Sequence, residues 1–174
     1  MRNATELMVQ YAAYHRDRRN IITHFVGIPL IVFAVGVLLA RPSFGLGGLV
    51  LSPAWVVWGL SALWYLTRGH LALGAATSLA TGVLILLAQP LGAGGTASWL
   101  TWGIAIFIAG WVLQFIGHWY EGRKPAFVDD IVGLLVAPMF VTAEVLFTLG
   151  LCKPLLDEIE RRAGPTMLRD LAHP

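Results

Sequence analysis

Three histidines carry most of the chemical interest in this chain. His15 and His24 lie nine residues apart in "YHRDRRNIITHFVGIP", at the edge of an apolar run, and His118 closes another such run in "QFIGHWYEGRKPAFVDD". Imidazole and carboxylate ligands suit iron, zinc or manganese, and two or three protein ligands leave coordination positions open for chemistry. On one continuous helix a nine-residue spacing turns through about 180°, so His15 and His24 would face opposite ways. They can act together only if the chain breaks between them. Asn20 is a good N-cap residue, so a short amphipathic helix over about 4–18 is expected to end there and a new one to begin at Ile21. Gln114 and His118 are one helical turn apart and Glu121 follows at i+3, so the three share a face.

The elements that must position these residues are apolar and helical. The chain of 174 residues is 57% hydrophobic and only 13% charged, with a mean hydropathy of +0.71, whereas an ordinary soluble domain is about a quarter charged. This balance predicts an all-α, polytopic helical membrane protein forming one membrane domain. A formal charge of +2 is too small to suggest a nucleic-acid partner. The single cysteine, Cys152, excludes an intrachain disulfide and a four-cysteine metal site. The first twenty residues show no apolar core ahead of a small-residue cleavage site, so no removable signal peptide is expected.

Four spans are predicted, over about 21–40, 46–66, 70–89 and 99–120, each close to the ~20 apolar residues needed to cross a bilayer. The tryptophans lie mostly near span ends, as interfacial anchors, and the small residues of "LALGAATSLATG" permit close helix contact. A fifth apolar run, 131–152, is split by Pro138 and carries Glu144 near its middle; residues 153–174 form a polar tail. With the amino terminus cytoplasmic, Arg2, Arg16, Arg18, Arg19, Arg68, Arg123 and Lys124 fall inside and Arg41 outside. A fifth full crossing would put Lys153, Arg161, Arg162 and Arg169 outside, so a broken or re-entrant segment is favoured over a fifth span. Four crossings return the end of the last span to the side of the first. Topology therefore allows His15, His24, His118 and Glu121 to meet at one membrane boundary. Glu144, expensive in an apolar segment unless it is paired, protonated or facing a polar interior, is expected near the histidines as a supporting partner or a distant ligand.

Each residue has a plainer explanation. A histidine near an interface is commonly a hydrogen-bonded structural residue, and Glu121 with Arg123 and Lys124 is ordinarily a solvated charge cluster. Three histidines at one boundary with carboxylates beside them make a stronger signal. The chain lacks the many histidine boxes of a two-iron desaturase, the "HExxH" of a zinc protease, glycine-rich phosphate loops and a nucleophile-elbow serine.

The blocks "YHRDRRNIITHFVGIP" and "QFIGHWYEGRKPAFVDDIVGLLVAP" resemble the membrane 2-hydroxy fatty acid dioxygenase family over nearly the whole chain, through "EVLFTLG". Its fungal member breaks down phytosphingosine to odd-chain fatty acids, and many bacterial members were long labelled a domain of unknown function. The resemblance implies an iron(II) enzyme with His15, His24 and His118 as metal ligands. It also matches Asn20, Pro29, Gln114, Pro125 and Asp129; a carboxylate from Glu121 or Asp129 is expected near the metal. His70 matches no family histidine, and His173 lies in the tail.

A 2-hydroxy acid can chelate iron through its hydroxyl and one carboxylate oxygen. Three protein ligands on an octahedral ion then leave one position for O₂. Arg123 or Lys124 could attract the substrate carboxylate, with positive-inside anchoring as the alternative role. Implied partners are a long-chain 2-hydroxy fatty acid, O₂ and the lipid bilayer. The membrane would be a bacterial inner membrane, or the endoplasmic reticulum in a eukaryote. Two other classes stay open: a small membrane carrier, against which the absent inverted repeat argues, and a non-catalytic scaffold whose histidines cap helices.

Overall fold

The structure, a computed structural model, describes residues 2–46 and 49–171. It is mostly helical: α1 (Ala4–Ala12), α2 (Arg18–Leu38), α3 (Pro53–Leu66), α4 (Leu71–Ala93), α5 (Thr96–Glu121), α6 (Gly133–Thr148) and α7 (Lys153–Ala163). A two-stranded antiparallel hairpin, β1 (Phe44–Leu46) and β2 (Leu49–Leu51), precedes α3, and a single 3-10 turn (Ala126–Val128) precedes α6. Among the described residues α2, α4 and α5 are long and apolar enough to cross a membrane, and the bent pair α6–α7 could make a fourth. His173 lies outside the described residues.

Two boundaries differ from the sequence expectation for physical reasons. The run expected to span 46–66 is a helix only from Pro53, because its first residues pair as β2 and Ser52, preceding a proline, is extended (φ −147°, ψ 164°). Fourteen helical residues rise about 21 Å, short of the ~30 Å hydrocarbon core. Pro138 does not break its segment: α6 runs straight through it. The break comes at residues 149–152, where Gly150 (φ 75°) and Cys152 (φ 54°) take left-handed conformations and α7 leaves α6 at 115°.

The break between His15 and His24 is present, with a different cap. An Asn3–Glu6 capping box starts α1, which ends at Ala12 rather than near residue 18. Asp17, not Asn20, caps α2: its backbone is extended and its carboxylate accepts from the Arg19 N–H at 2.8 Å. Asn20 is instead wholly buried inside the first turn of α2.

Helices α2 and α5 form the central pair, packed through glycines. A Cβ on Gly27 would stand 2.9 Å from the Gly110 carbonyl oxygen, and one on Gly117 would collide with Asn20 and Thr23. Gly103, Gly110 and Gly117 recur every seven residues along α5, a small-residue seam that lets the backbones approach. Against this pair lies a core built from α1, α6 and α7, with Leu7, Met8, Met139, Phe140, Leu155 and Ile159 buried together. The tail returns to the start of α2: Arg18 N–H donates to the Met167 carbonyl and Met167 N–H to the Arg16 carbonyl, each at 2.8 Å. Ala4 N–H donates to the Arg68 carbonyl at 2.8 Å, which joins the α3–α4 turn to the same face.

Candidate metal centre

His15, His24 and His118 are brought together, each buried, with one ring nitrogen of each within 4.8 Å of the others. Their ring centroids are 4.6–5.1 Å apart and their planes nearly perpendicular. Such a cluster is capable of holding a metal ion. His15 comes from the loop between α1 and α2, His24 from α2 and His118 from the last turn of α5.

Local backbone geometry aims the rings. His15 Nδ1 lies 2.7 Å from the Tyr11 carbonyl, four residues back, and the Tyr11 ring stacks on the His15 ring at 4.1 Å. His24 Nδ1 lies 2.9 Å from the Asn20 carbonyl, again four residues back. A carbonyl can only accept, so in each neutral ring Nδ1 carries the hydrogen and Nε2 the lone pair. The two Nε2 atoms nevertheless stand 3.1 Å apart. Two facing lone pairs need a cation between or beside them. Burial, reinforced by the neighbouring His24 and His118, holds the His15 imidazole well below its usual pKa, which disfavours a proton as that cation. Two metal–imidazole bonds of ~2.1 Å at right angles put their nitrogens about 3.0 Å apart, so the spacing fits a metal. Nδ1 of His118 is buried without a hydrogen-bond partner among the described residues, a third available donor atom.

Glu121 stands just behind this cluster and is occupied otherwise than the sequence suggests. Its carboxylate accepts from Arg16 N–H (3.0 Å to each oxygen), Asp17 N–H (2.8 Å) and Asn20 Nδ2 (3.0 Å). It therefore clamps the loop that carries His15 to the end of α5 and is not in the histidine group. Asn20 completes the clamp by donating to the Tyr14 carbonyl as well. Asp129 is also elsewhere, accepting from Tyr14 Oη at 2.8 Å and pairing with Lys124. Glu144 has Arg16 and Glu160 as its electrostatic neighbours, with no hydrogen bond to a histidine among the described residues. Arg123 donates to the Ala13 carbonyl at 2.7 Å. Neither Arg123 nor Lys124 lines the space beside the histidines. His70 caps α4, accepting from Leu73 N–H.

That space is a cleft among α2, α5, α6 and the 125–127 segment. Its volume of about 70 Å³ exceeds the ~10–15 Å³ one water requires. His24, Ile28, Ile31 and Val32 form one wall and Trp111, Gln114 and His118 another, at spacings that fall on a single helix face. From His24 to Val32 the wall runs about 12 Å, polar at the histidine end and apolar beyond. Gln114 is 6% exposed and its Nε2 has no hydrogen-bond partner among the described residues. Sequence reasoning missed Tyr11 and Trp111 as wall residues. Tyr11 was legible as the residue one turn before His15, and Trp111 as the residue two turns before His118.

The family model described as "2-hydroxy-palmitic acid dioxygenase Mpo1-like" matches residues 1–149. The chain belongs to this family. It is similar to the 2-hydroxy-palmitic acid dioxygenase MPO1 of Saccharomyces cerevisiae, 32% identical over 155 residues that cover 86% of this chain and 83% of the yeast protein. No solved structure matches. All three histidines of this Mpo1-like chain, and Glu121 behind them, lie within the matched residues, whereas α7 and the returning tail lie beyond them.

Proposed function

We propose that this Mpo1-like protein is an iron(II)-dependent membrane dioxygenase that converts a long-chain 2-hydroxy fatty acid into the fatty acid one carbon shorter. The reaction RCH(OH)COOH + O₂ → RCOOH + CO₂ + H₂O balances without an external reductant. The observation that carries the reading is the pair of Nε2 atoms 3.1 Å apart, with His118 completing a three-nitrogen set in a buried site. His15, His24 and His118 would hold the ion. Bound there, ferrous iron would supply open coordination positions and the one-electron chemistry that O₂ requires.

The remaining work falls to the chain's own residues. Ile28, Ile31 and Val32 offer the acyl chain an apolar wall beginning at the histidines, where each buried methylene contributes about 0.8 kcal/mol. Gln114, one turn from His118, presents its amide to the head of the substrate, the role that sequence reading gave to Arg123 or Lys124. Tyr11 and Asn20, through their carbonyls, and Glu121, through the loop, hold the rings in register. Asp129 tethers the 125–127 segment over the cleft through Tyr14.

The test is metal content together with product formation for alanine variants of His15, His24, His118 and His70, assayed on 2-hydroxy fatty acids with O₂ and without 2-oxoglutarate or NADH. The first three should lose iron and turnover together, and His70→Ala should keep both. Retention of iron and turnover in His118→Ala would defeat the proposal.

A further inference from the structure

A separate, half-open cavity of about 530 Å³ is lined by the His15 loop, the end of α5, the end of α7 and the returning tail. Its charged lining comprises four cations, Arg16, Arg123, Arg162 and Arg169, against two anions, Asp17 and Glu121. Both carboxylates are already engaged. Glu121 is the clamp described above, and Asp17 accepts from Arg19 and from the Arg169 N–H at 2.9 Å. The wall's anions therefore face the protein's own N–H groups, and the wall as a whole is cationic.

Arg16 makes this more than a basic surface. It is only 8% exposed. Its Nε donates to the Ala12 and His15 carbonyls and its NH1 to the Gly164 carbonyl at 2.9 Å. Its NH2 is buried with no hydrogen-bond partner among the described residues. The carboxylates near it are Glu144, Glu121 and Glu160, none of which bonds to that nitrogen. Bonds to three carbonyls therefore fix the guanidinium, and Arg16 lines the pocket as a cation already held in place. Arg162 has a loose, half-exposed pairing with Glu158 at 3.6 Å. Arg169 is fixed in place by its backbone, leaving its guanidinium against Gly122.

We propose that this cavity binds a phosphate group, which has enough oxygens to be shared among several guanidiniums in the bidentate manner arginine favours. The group belongs to an anionic lipid headgroup or to free phosphate. The cavity sits where α2 begins and α5 ends, at the ends of membrane-length helices, and Met167 in its wall is 55% exposed, so a lipid can reach it. Occupancy joins α7 and the tail, through Arg162 and Arg169, to the His15 loop and the end of α5, through Arg16 and Arg123.

The experiment uses the full chain in phosphatidylcholine nanodiscs, titrated with inorganic phosphate or with a short-chain phosphatidic acid and followed by calorimetry. Neither iron nor turnover enters the readout, so its outcome is independent of the dioxygenase reading. One saturable site per chain is expected. Arg162→Gln with Arg169→Gln should weaken it at least tenfold and Arg162→Gln alone about threefold. Lys153→Gln, which removes the same charge from the exposed start of α7 outside the cavity, should change it less than twofold. Binding of phosphate and phosphatidic acid with equal affinity identifies the free anion as the ligand, and tighter binding of phosphatidic acid identifies a lipid. The proposal fails if neither probe binds saturably. It also fails if Lys153→Gln weakens binding as much as the cavity variants, which would mean a general surface field.

Discussion

Replacing Glu121 by glutamine isolates the clamp from the metal ligands. The carboxylate receives three donors, two of them backbone N–H groups flanking the loop position next to His15. Hydrogen bonds to a charged group contribute about 1.5–3 kcal/mol each. Glutamine keeps one acceptor oxygen but turns an NH₂ toward an N–H donor, so at least one bond is lost and a donor is left buried. A loss of about 3 kcal/mol follows, equivalent to roughly a hundredfold in an equilibrium constant. Since the loop carries one of three ligands, Glu121→Gln should weaken metal binding about 10–100-fold, the range for residues that orient ligands. The assay is an anaerobic competition titration of Fe(II) against a chelator, with the Co(II) absorption spectrum of the same variant. The spectrum should keep its band shape at saturation, because the ligand atoms are unchanged. An affinity within twofold of the parent would refute the clamp. A changed Co(II) band shape would refute it differently, by making Glu121 a ligand.

Gly117→Ala should cost about 1–3 kcal/mol, because its Cβ meets Asn20 and Thr23 and lies 3.2 Å from His24 Nδ1; a lowered Tm together with reduced iron content would show the seam and the site yielding together. Asp17 is pushed up by burial but carried down further by hydrogen bonds from Arg19 and Arg169, to about 2. A folded pKa below the unfolded ~3.9 contributes stability that is complete above pH 4 and is lost as pH falls toward 2. Asp17→Asn should therefore cost about 2 kcal/mol at pH 7, with the gap from the parent narrowing below pH 4 in a Tm-against-pH series. A cysteine placed at Arg162 should be shielded from impermeant reagent added outside intact cells, as one at Arg2 should be, since the tail pairs with the start of α2; labelling of Arg162→Cys but not Arg2→Cys would mean a full crossing by α6 and α7.

Legibility was greatest where a local pattern decided the outcome. Apolar runs of membrane length gave α2, α4 and α5, since hydropathy and helix length depend on nearby residues alone. The opposed faces of His15 and His24 required a break between them, and one is there. The i, i+4, i+7 order of Gln114, His118 and Glu121 placed them at one helix end, and their residue types were enough to suggest a metal. Choices between near-equal local options were not legible. Asp17 and Asn20 are both good caps; Asp17 prevails because Arg19 and the tail's Arg169 N–H answer its charge, while Asn20 is drawn to Glu121. Pro138 and Gly150 both signal a break. Tertiary packing against α1 carries α6 through the proline, and the left-handed turn at Gly150 and Cys152 bends the chain instead. Residues 49–51 read as the start of a span until a partner strand claims them. That the Glu121 carboxylate receives the Arg16 and Asp17 N–H groups depends on where those groups point, and that direction exists only once α1, α2 and α5 have met.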